Sequence, residues 1–130
     1  MPEFSEAAAT LPASDFERAK GFYGGTLGLQ SVMENAGGVL YRAGSSNVFV
    51  YPSEFAGSNK ATAATFIVGD ARAAVDELRG KGVTFEEYDM PGLKTDDGIA
   101  ELDGIPGAWF KDSEGNILAI TEMPSDMAQG

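Results

Sequence analysis

The chain repeats itself, and the repeat limits its possible folds more than any other feature. GVLYRAGSSNVFVY (38–51) lies over GAWFKDSEGNILAI (107–120) at an ungapped offset of 69, so that Gly38 meets Gly107, Tyr41 meets Phe110, Arg42 meets Lys111 and Asn47 meets Asn116. Val48 and Phe49 fall on Ile117 and Leu118. Earlier in each half, ASDFERA lies over VGDARAA at an offset of 55, pairing Asp15 with Asp70 and Ala19 with Ala74. Matching order of the elements on both sides argues for two copies of one supersecondary unit.

Each half reads as a strand, a helix and then several strands. In the first half, 6–13 is an apolar-rich strand, and Ser14 with Glu17 has the spacing of a capping box. Phe16, Ala19, Phe22 and Tyr23 follow at helical spacing, and Gly24-Gly25 are expected to close the helix. Strands near 29–34, 38–43 and 47–52 complete a module over about 5–54, and FAGSNK (55–60) is a linker. In the second module, over about 61–124, a strand at 62–69 leads to Asp70 as a helix cap. Ala71, Ala74, Val75 and Leu78 share a helix face, and Gly80 and Gly82 end the helix. Strands are expected near 83–88, 99–103, 107–112 and 116–122. The fold class is therefore α+β, two tandem βαβββ modules within one domain-sized chain of 130 residues. The two offsets differ because the second half carries about 14 extra residues within YDMPGLKTDDGIAELDG (88–104). Such an excursion is a binding loop or lid, or else a plain surface meander.

Composition removes much chemistry. With no cysteine and no histidine, disulfides, thiolate metal sites, cysteine nucleophiles and imidazole bases are all excluded. A metal would need carboxylates, carbonyls and water, a donor set for Mg²⁺ or Ca²⁺ and a poor one for Zn²⁺. Twenty acids against nine bases give a net charge of −11, which repels a phosphate backbone, so no nucleic-acid partner is expected. That charge either keeps the protein dissolved or attracts a cationic ligand. No apolar run approaches the roughly 20 residues of a membrane span, so no membrane partner is expected. MPEFSEAAATL lacks the basic start and apolar core of a signal peptide, and cytoplasm is the expected location.

The doubled βαβββ pattern carries two recognisable phrases. One is D-x-x-R-A-x-x-F-Y-x-x-x-L-G, matched by Asp15, Arg18, Ala19, Phe22, Tyr23, Leu27 and Gly28; the other is the D-x-x-G-N turn at Asp112, Gly115 and Asn116. Together they resemble the vicinal oxygen chelate superfamily of glyoxalase I, bleomycin-resistance proteins, fosfomycin-modifying enzymes and extradiol dioxygenases. Both phrases are structural and leave the chemistry open. The resemblance implies two modules curving their strands into an open cup with helices outside, and chains that pair as homodimers. In the enzymes of that superfamily, four strand positions hold a divalent metal through His and Glu. Counting from the capping Asp and the turn Asn, those positions fall on Ala8, Val50, Ala63 and Ala119, all apolar. No metal and no cofactor is therefore expected, and metal-dependent glyoxalase, epimerase, dioxygenase or fosfomycin chemistry is disfavoured. Glu122 has the wrong strand parity to replace Ala119.

Alternation then sorts the cup. Leu118 and Ile120 belong to the helix side, with Ile117, Ala119 and Thr121 opposite. Tyr41 pairs with Phe110 as core, which leaves Leu40 and Arg42 toward the cup, matched by Trp109 and Lys111. Thr10 and Thr65 point inward, with Val48 and Val50 beside them. Such a lining is apolar and aromatic with a few polar handles, as small-molecule pockets usually are. In the acid-rich second half, Glu86 and Glu87 point to opposite faces and make no catalytic pair. Glu86 or Glu101, with Tyr88, is read as a clamp for a cation around Trp109. Three functions fit: a metal-independent sequestering protein similar to bleomycin-resistance proteins, for a cationic or aromatic ligand; a metal-free lyase or isomerase using a carboxylate or tyrosine; and a regulatory module that binds another protein.

Overall fold

The structure, a computed structural model, describes residues 2–123. It divides into two compact units: the chain up to Lys60 together with Asp112–Asn116, and Ala61–Lys111 together with the chain from Ile117. In the first unit, β1 (Ala8–Ala13) leads to α1 (Phe16–Lys20), which continues as π-helical turns over Gly21–Thr26. β2 (Gln30–Asn35), β3 (Gly38–Ala43) and β4 (Ser46–Pro52) follow, in a sheet ordered β1-β4-β3-β2 with β1 parallel to β4. The second unit has β5 (Thr62–Val68), α2 (Ala71–Gly80), a small hairpin of β6 (Asp89–Met90) and β7 (Leu93–Lys94), then β8 (Ile99–Leu102), β9 (Ile105–Lys111) and β10 (Ile117–Glu122). Its sheet runs β5-β10-β9-β8, with β5 parallel to β10. The two units share one topology, a doubled βαβββ arrangement of the α+β class.

Each sheet buries one face under its own helix. Leu11, Val39, Tyr41, Val48 and Val50 are buried with Ala19 and Tyr23 in the first unit; Ala108, Phe110, Leu118 and Ile120 are buried with Ala71 and Val75 in the second. Burying each large apolar side chain contributes roughly 1.5–3 kcal/mol, so these faces supply most of the driving force.

Local details depart from the sequence expectations for identifiable reasons. Asp15, not Ser14, caps α1: its carboxylate accepts the Arg18 N–H at 3.0 Å, as Asp70 accepts the Ala73 N–H at 3.0 Å on α2. Ser14 turns its hydroxyl to Glu114 instead, at 3.3 Å. Gly24 and Gly25 do not end the helix; they lie in wider turns where the Leu27 N–H bonds the Phe22 carbonyl five residues back. The chain leaves at Gly28, with φ +70°. No regular strand forms over 83–88, where Phe85 makes a single bridge to Phe110.

The extra residues of the second half are folded into tight hairpins. Asp97-Gly98 (φ 54° and 82°) and Asp103-Gly104 (φ 54° and 77°) both turn with two positive φ values, the type I′ geometry that Asp-Gly favours. Glu87 holds the root of this segment by accepting the Thr95 hydroxyl at 2.7 Å and the Gly98 N–H at 2.8 Å. Arg72 and Arg79 of α2 hold Asp97 at 3.0 and 3.2 Å.

The Asp112–Asn116 turn is tied into the first unit. Asn116 donates to the Pro12 carbonyl and to Asp112, both at 2.8 Å, and accepts the Gly57 N–H at 3.2 Å. Gly57, at φ +76°, approaches so closely that an added Cβ would lie 2.8 Å from the Glu114 carbonyl. Glu114, buried beside α1, accepts from the Asp15 N–H at 2.8 Å and from Arg18 Nε at 2.7 Å. Among the described residues no helix is long and apolar enough to cross a membrane.

Candidate ligand-binding faces

In the second unit, strand register puts Trp109 beside Ala119, and Ala119 beside Thr65, on the face away from α2. Lys111 shares that face two residues beyond Trp109. Phe85 points the other way, its ring 5.3 Å from that of Phe110, so Glu86 and Tyr88 come to the Trp109 side. The Glu86 N–H donates to the Trp109 carbonyl at 2.8 Å, and the Glu86 carboxylate stands 3.6 Å from the Lys111 ammonium. The Tyr88 ring meets the indole edge-on, with centroids 5.7 Å apart and planes at 76°. Burial, and then the Glu86 carboxylate, pushes the Tyr88 phenol above its usual pKa, so it stays protonated and able to donate at neutral pH. Trp109, Tyr88, Glu86, Lys111, Ala119 and Thr65 therefore share one surface.

Glu101 does not join them. It pairs with Pro106, one residue out of phase with Ala100, which pairs with Gly107 on the Trp109 face. Period-two alternation sends Glu101 to the opposite side. Glu122 also has another task, accepting the Ala71 N–H at 2.8 Å at the start of α2.

In the first unit the equivalent face carries Thr10, Phe49 and Leu40 in one row and Ala8, Asn47 and Arg42 in the next. Val48 and Val50 are not on it. They pair with Tyr41 and Val39 respectively on the buried helix side. The cause is a slip of one residue in the repeat. Arg42 pairs with Asn47 across a shorter turn than the one between Lys111 and Ile117, so Phe49, not Val50, occupies the place of Ala119. One residue of slip moves every side chain of a strand to its other face.

The sequence reading therefore missed three residues on this face. Phe49 and Tyr51 present parallel rings 6.3 Å apart. Asn47, only 6% exposed, donates to Glu6 at 2.8 Å, while its Oδ1 is buried without a hydrogen-bond partner among the described residues. Gly38 lies against this part of the strand, where an added Cβ would meet the Val50 carbonyl first and then lie 2.8 Å from the Phe49 ring.

With Phe49 in the place first given to Val50, the positions at which the resemblance puts metal ligands are Ala8, Phe49, Ala63 and Ala119. None offers an oxygen, nitrogen or sulfur side-chain donor. Among the described residues no group of three or more carboxylates could hold a metal ion elsewhere. These residues do not fit a divalent metal. Purified protein is accordingly expected to contain well under one Zn, Fe, Ni or Mn per chain, and EDTA should leave its melting temperature unchanged; elemental analysis and a thermal scan check both.

By sequence alone the chain matches no family model and no curated protein. Its structure finds many neighbours. A member of the glyoxalase/bleomycin resistance protein/dioxygenase superfamily from Sphaerobacter thermophilus aligns over 93% of this chain and 98% of its own, at TM-score 0.70 and 24% identity. A glyoxalase family protein from Enterococcus faecalis aligns over 92% and 98%, at TM-score 0.71 and 20% identity. The chain has the vicinal oxygen chelate fold. A lactoylglutathione lyase from Agrobacterium tumefaciens also shares this fold, over 94% of this chain and 96% of its own, at TM-score 0.63 and 20% identity.

Proposed function

We propose that this vicinal oxygen chelate protein binds and sequesters a small aromatic molecule without a metal. The observation that carries the reading is the edge-on Tyr88–Trp109 pair, flanked by Glu86 and Lys111, on a sheet face whose metal-ligand positions hold hydrocarbon. A ligand ring stacked on the indole gains about 0.5–1.5 kcal/mol beyond burial, and a desolvated cation over it about 2 kcal/mol. Thr10, Leu40, Arg42 and Phe49 supply the corresponding surface of the first half. A phenol held protonated makes a poor base, so Tyr88 serves as a hydrogen-bond donor to the ligand and does not take a proton from it.

The test is a fluorescence titration of Trp109, the only tryptophan, against cationic and neutral aromatic drugs in EDTA. Saturable quenching without product is expected. Quenching followed by steady product formation would favour the lyase or isomerase reading, and capture of a protein with no small-molecule binding the regulatory one.

We also propose a homodimer, because β1, β2, β5 and β8 each lie at the edge of a sheet. Light scattering at micromolar concentration should give twice the chain mass; 13.6 kDa would contradict this.

A further inference from the structure

Three acids of the 86–103 segment that could have formed a negative rim around Trp109 are engaged elsewhere or turned away. Glu87 is held by Thr95 and Gly98, Asp97 by two arginines, and Glu101 lies on the opposite face. What stands beside the indole is a matched pair, Glu86 and Lys111, with 3.6 Å between carboxylate oxygen and ammonium nitrogen. That separation is longer than a hydrogen bond, so each group keeps hydrogen-bonding capacity for a ligand. From this charge balance we infer that the Trp109 face selects a zwitterionic aromatic molecule, one carrying an ammonium and a carboxylate close together beside its ring. The inference rests on Trp109 being the binding face.

A simple cation drawn to Glu86 must sit against the Lys111 ammonium, and a simple anion drawn to Lys111 must sit against the Glu86 carboxylate. Each gains one attraction and suffers one repulsion of comparable size. A zwitterion laid antiparallel to the pair puts its ammonium on Glu86 and its carboxylate on Lys111, and both contacts are attractive. Arg42 takes the place of Lys111 in the first half, but there it pairs in register with Asn47, whose amide holds the Glu6 carboxylate at 2.8 Å, and among the described residues Arg42 itself makes no ion pair.

The experiment follows the single Trp109 indole N–H signal by NMR on isotope-labelled full-length protein. Four probes with the same ring are titrated: indole, tryptamine, indole-3-propionate and L-tryptophan. L-tryptophan should bind at least fivefold more tightly than tryptamine and than indole-3-propionate. Glu86→Gln should abolish its advantage over indole-3-propionate, and Lys111→Gln its advantage over tryptamine. Both side chains are partly exposed, so neither variant should disturb folding. Equal affinity for all four probes, or tightest binding of tryptamine, overturns the zwitterion inference while leaving an aromatic binding face in place. No response to any probe overturns both.

Discussion

Asp112→Ala should lower the unfolding free energy by about 3–5 kcal/mol, the largest loss expected from any single substitution considered. The Asp112 carboxylate is buried and accepts four hydrogen bonds. Oδ1 takes the N–H groups of Glu114 and Asn116 at 2.9 and 2.8 Å; Oδ2 takes the Asn116 amide at 2.8 Å and the Tyr23 hydroxyl. Tyr23 is fully buried, and burial followed by the neighbouring carboxylate drives its phenol far above the usual pKa, so it can only donate. Alanine strands that hydroxyl and two backbone N–H groups. A buried group left unpaired costs about 1–3 kcal/mol, and one or two of the three can turn to water, which sets the range. Asp112→Asn keeps one acceptor oxygen and should lose roughly half as much. Denaturant unfolding of the three proteins gives the comparison; a change under 1 kcal/mol for alanine would remove the turn from the list of structural anchors.

The second large effect is acid sensitivity centred on Glu114. Burial alone would raise its pKa, but Arg18, the Asp15 N–H and the Ser113 hydroxyl outweigh it and lower the carboxyl from 4.5 to about 2. A depressed folded-state pKa means stability that is fully present above the unfolded value and lost as pH falls through the folded one. The window therefore runs from about pH 4.5 down to about pH 2. The shift alone corresponds to about 3 kcal/mol, and because Arg18 is 53% exposed to solvent, about 2 kcal/mol is the figure to expect. The wild type should lose that much relative to Glu114→Gln across the window, the two curves converging at the acid end. Parallel curves would show that the Arg18–Glu114 pair contributes nothing that titrates.

The fold was legible because its signals are local and doubled. Asp15 and Asp70 each begin a helix, Gly82 ends one, and the alternation of Leu118 and Ile120 against Ala119 sets a strand's two faces. That Glu86, Tyr88, Trp109 and Lys111 share one face of the second half was legible for the same reason, since it follows from parity on two neighbouring segments. On the first-half face, parity does not carry across the turn between β3 and β4. Asn47 and Asn116 look equivalent in an ungapped alignment, yet one lies in a strand and the other in a longer turn. That single residue exchanged Val48 and Val50 for Phe49 and Tyr51. Glu101 was misplaced because the Asp-Gly turns around it, not its distance from Trp109, set the phase of β8. Nor could sequence show Glu114 closing on α1, since that contact joins residues 96 positions apart.

The proposed function depends on Trp109 as a ligand platform that works without a metal. It is tested most directly by calorimetry in EDTA, using the compound that quenches Trp109 most strongly, on wild type and Trp109→Ala. Loss of stacking and of the aromatic contact with a cation removes about 1.4 kcal/mol or more, so the variant should bind at least tenfold more weakly. Equal affinities in the two proteins, or wild-type binding that vanishes in EDTA, would contradict it.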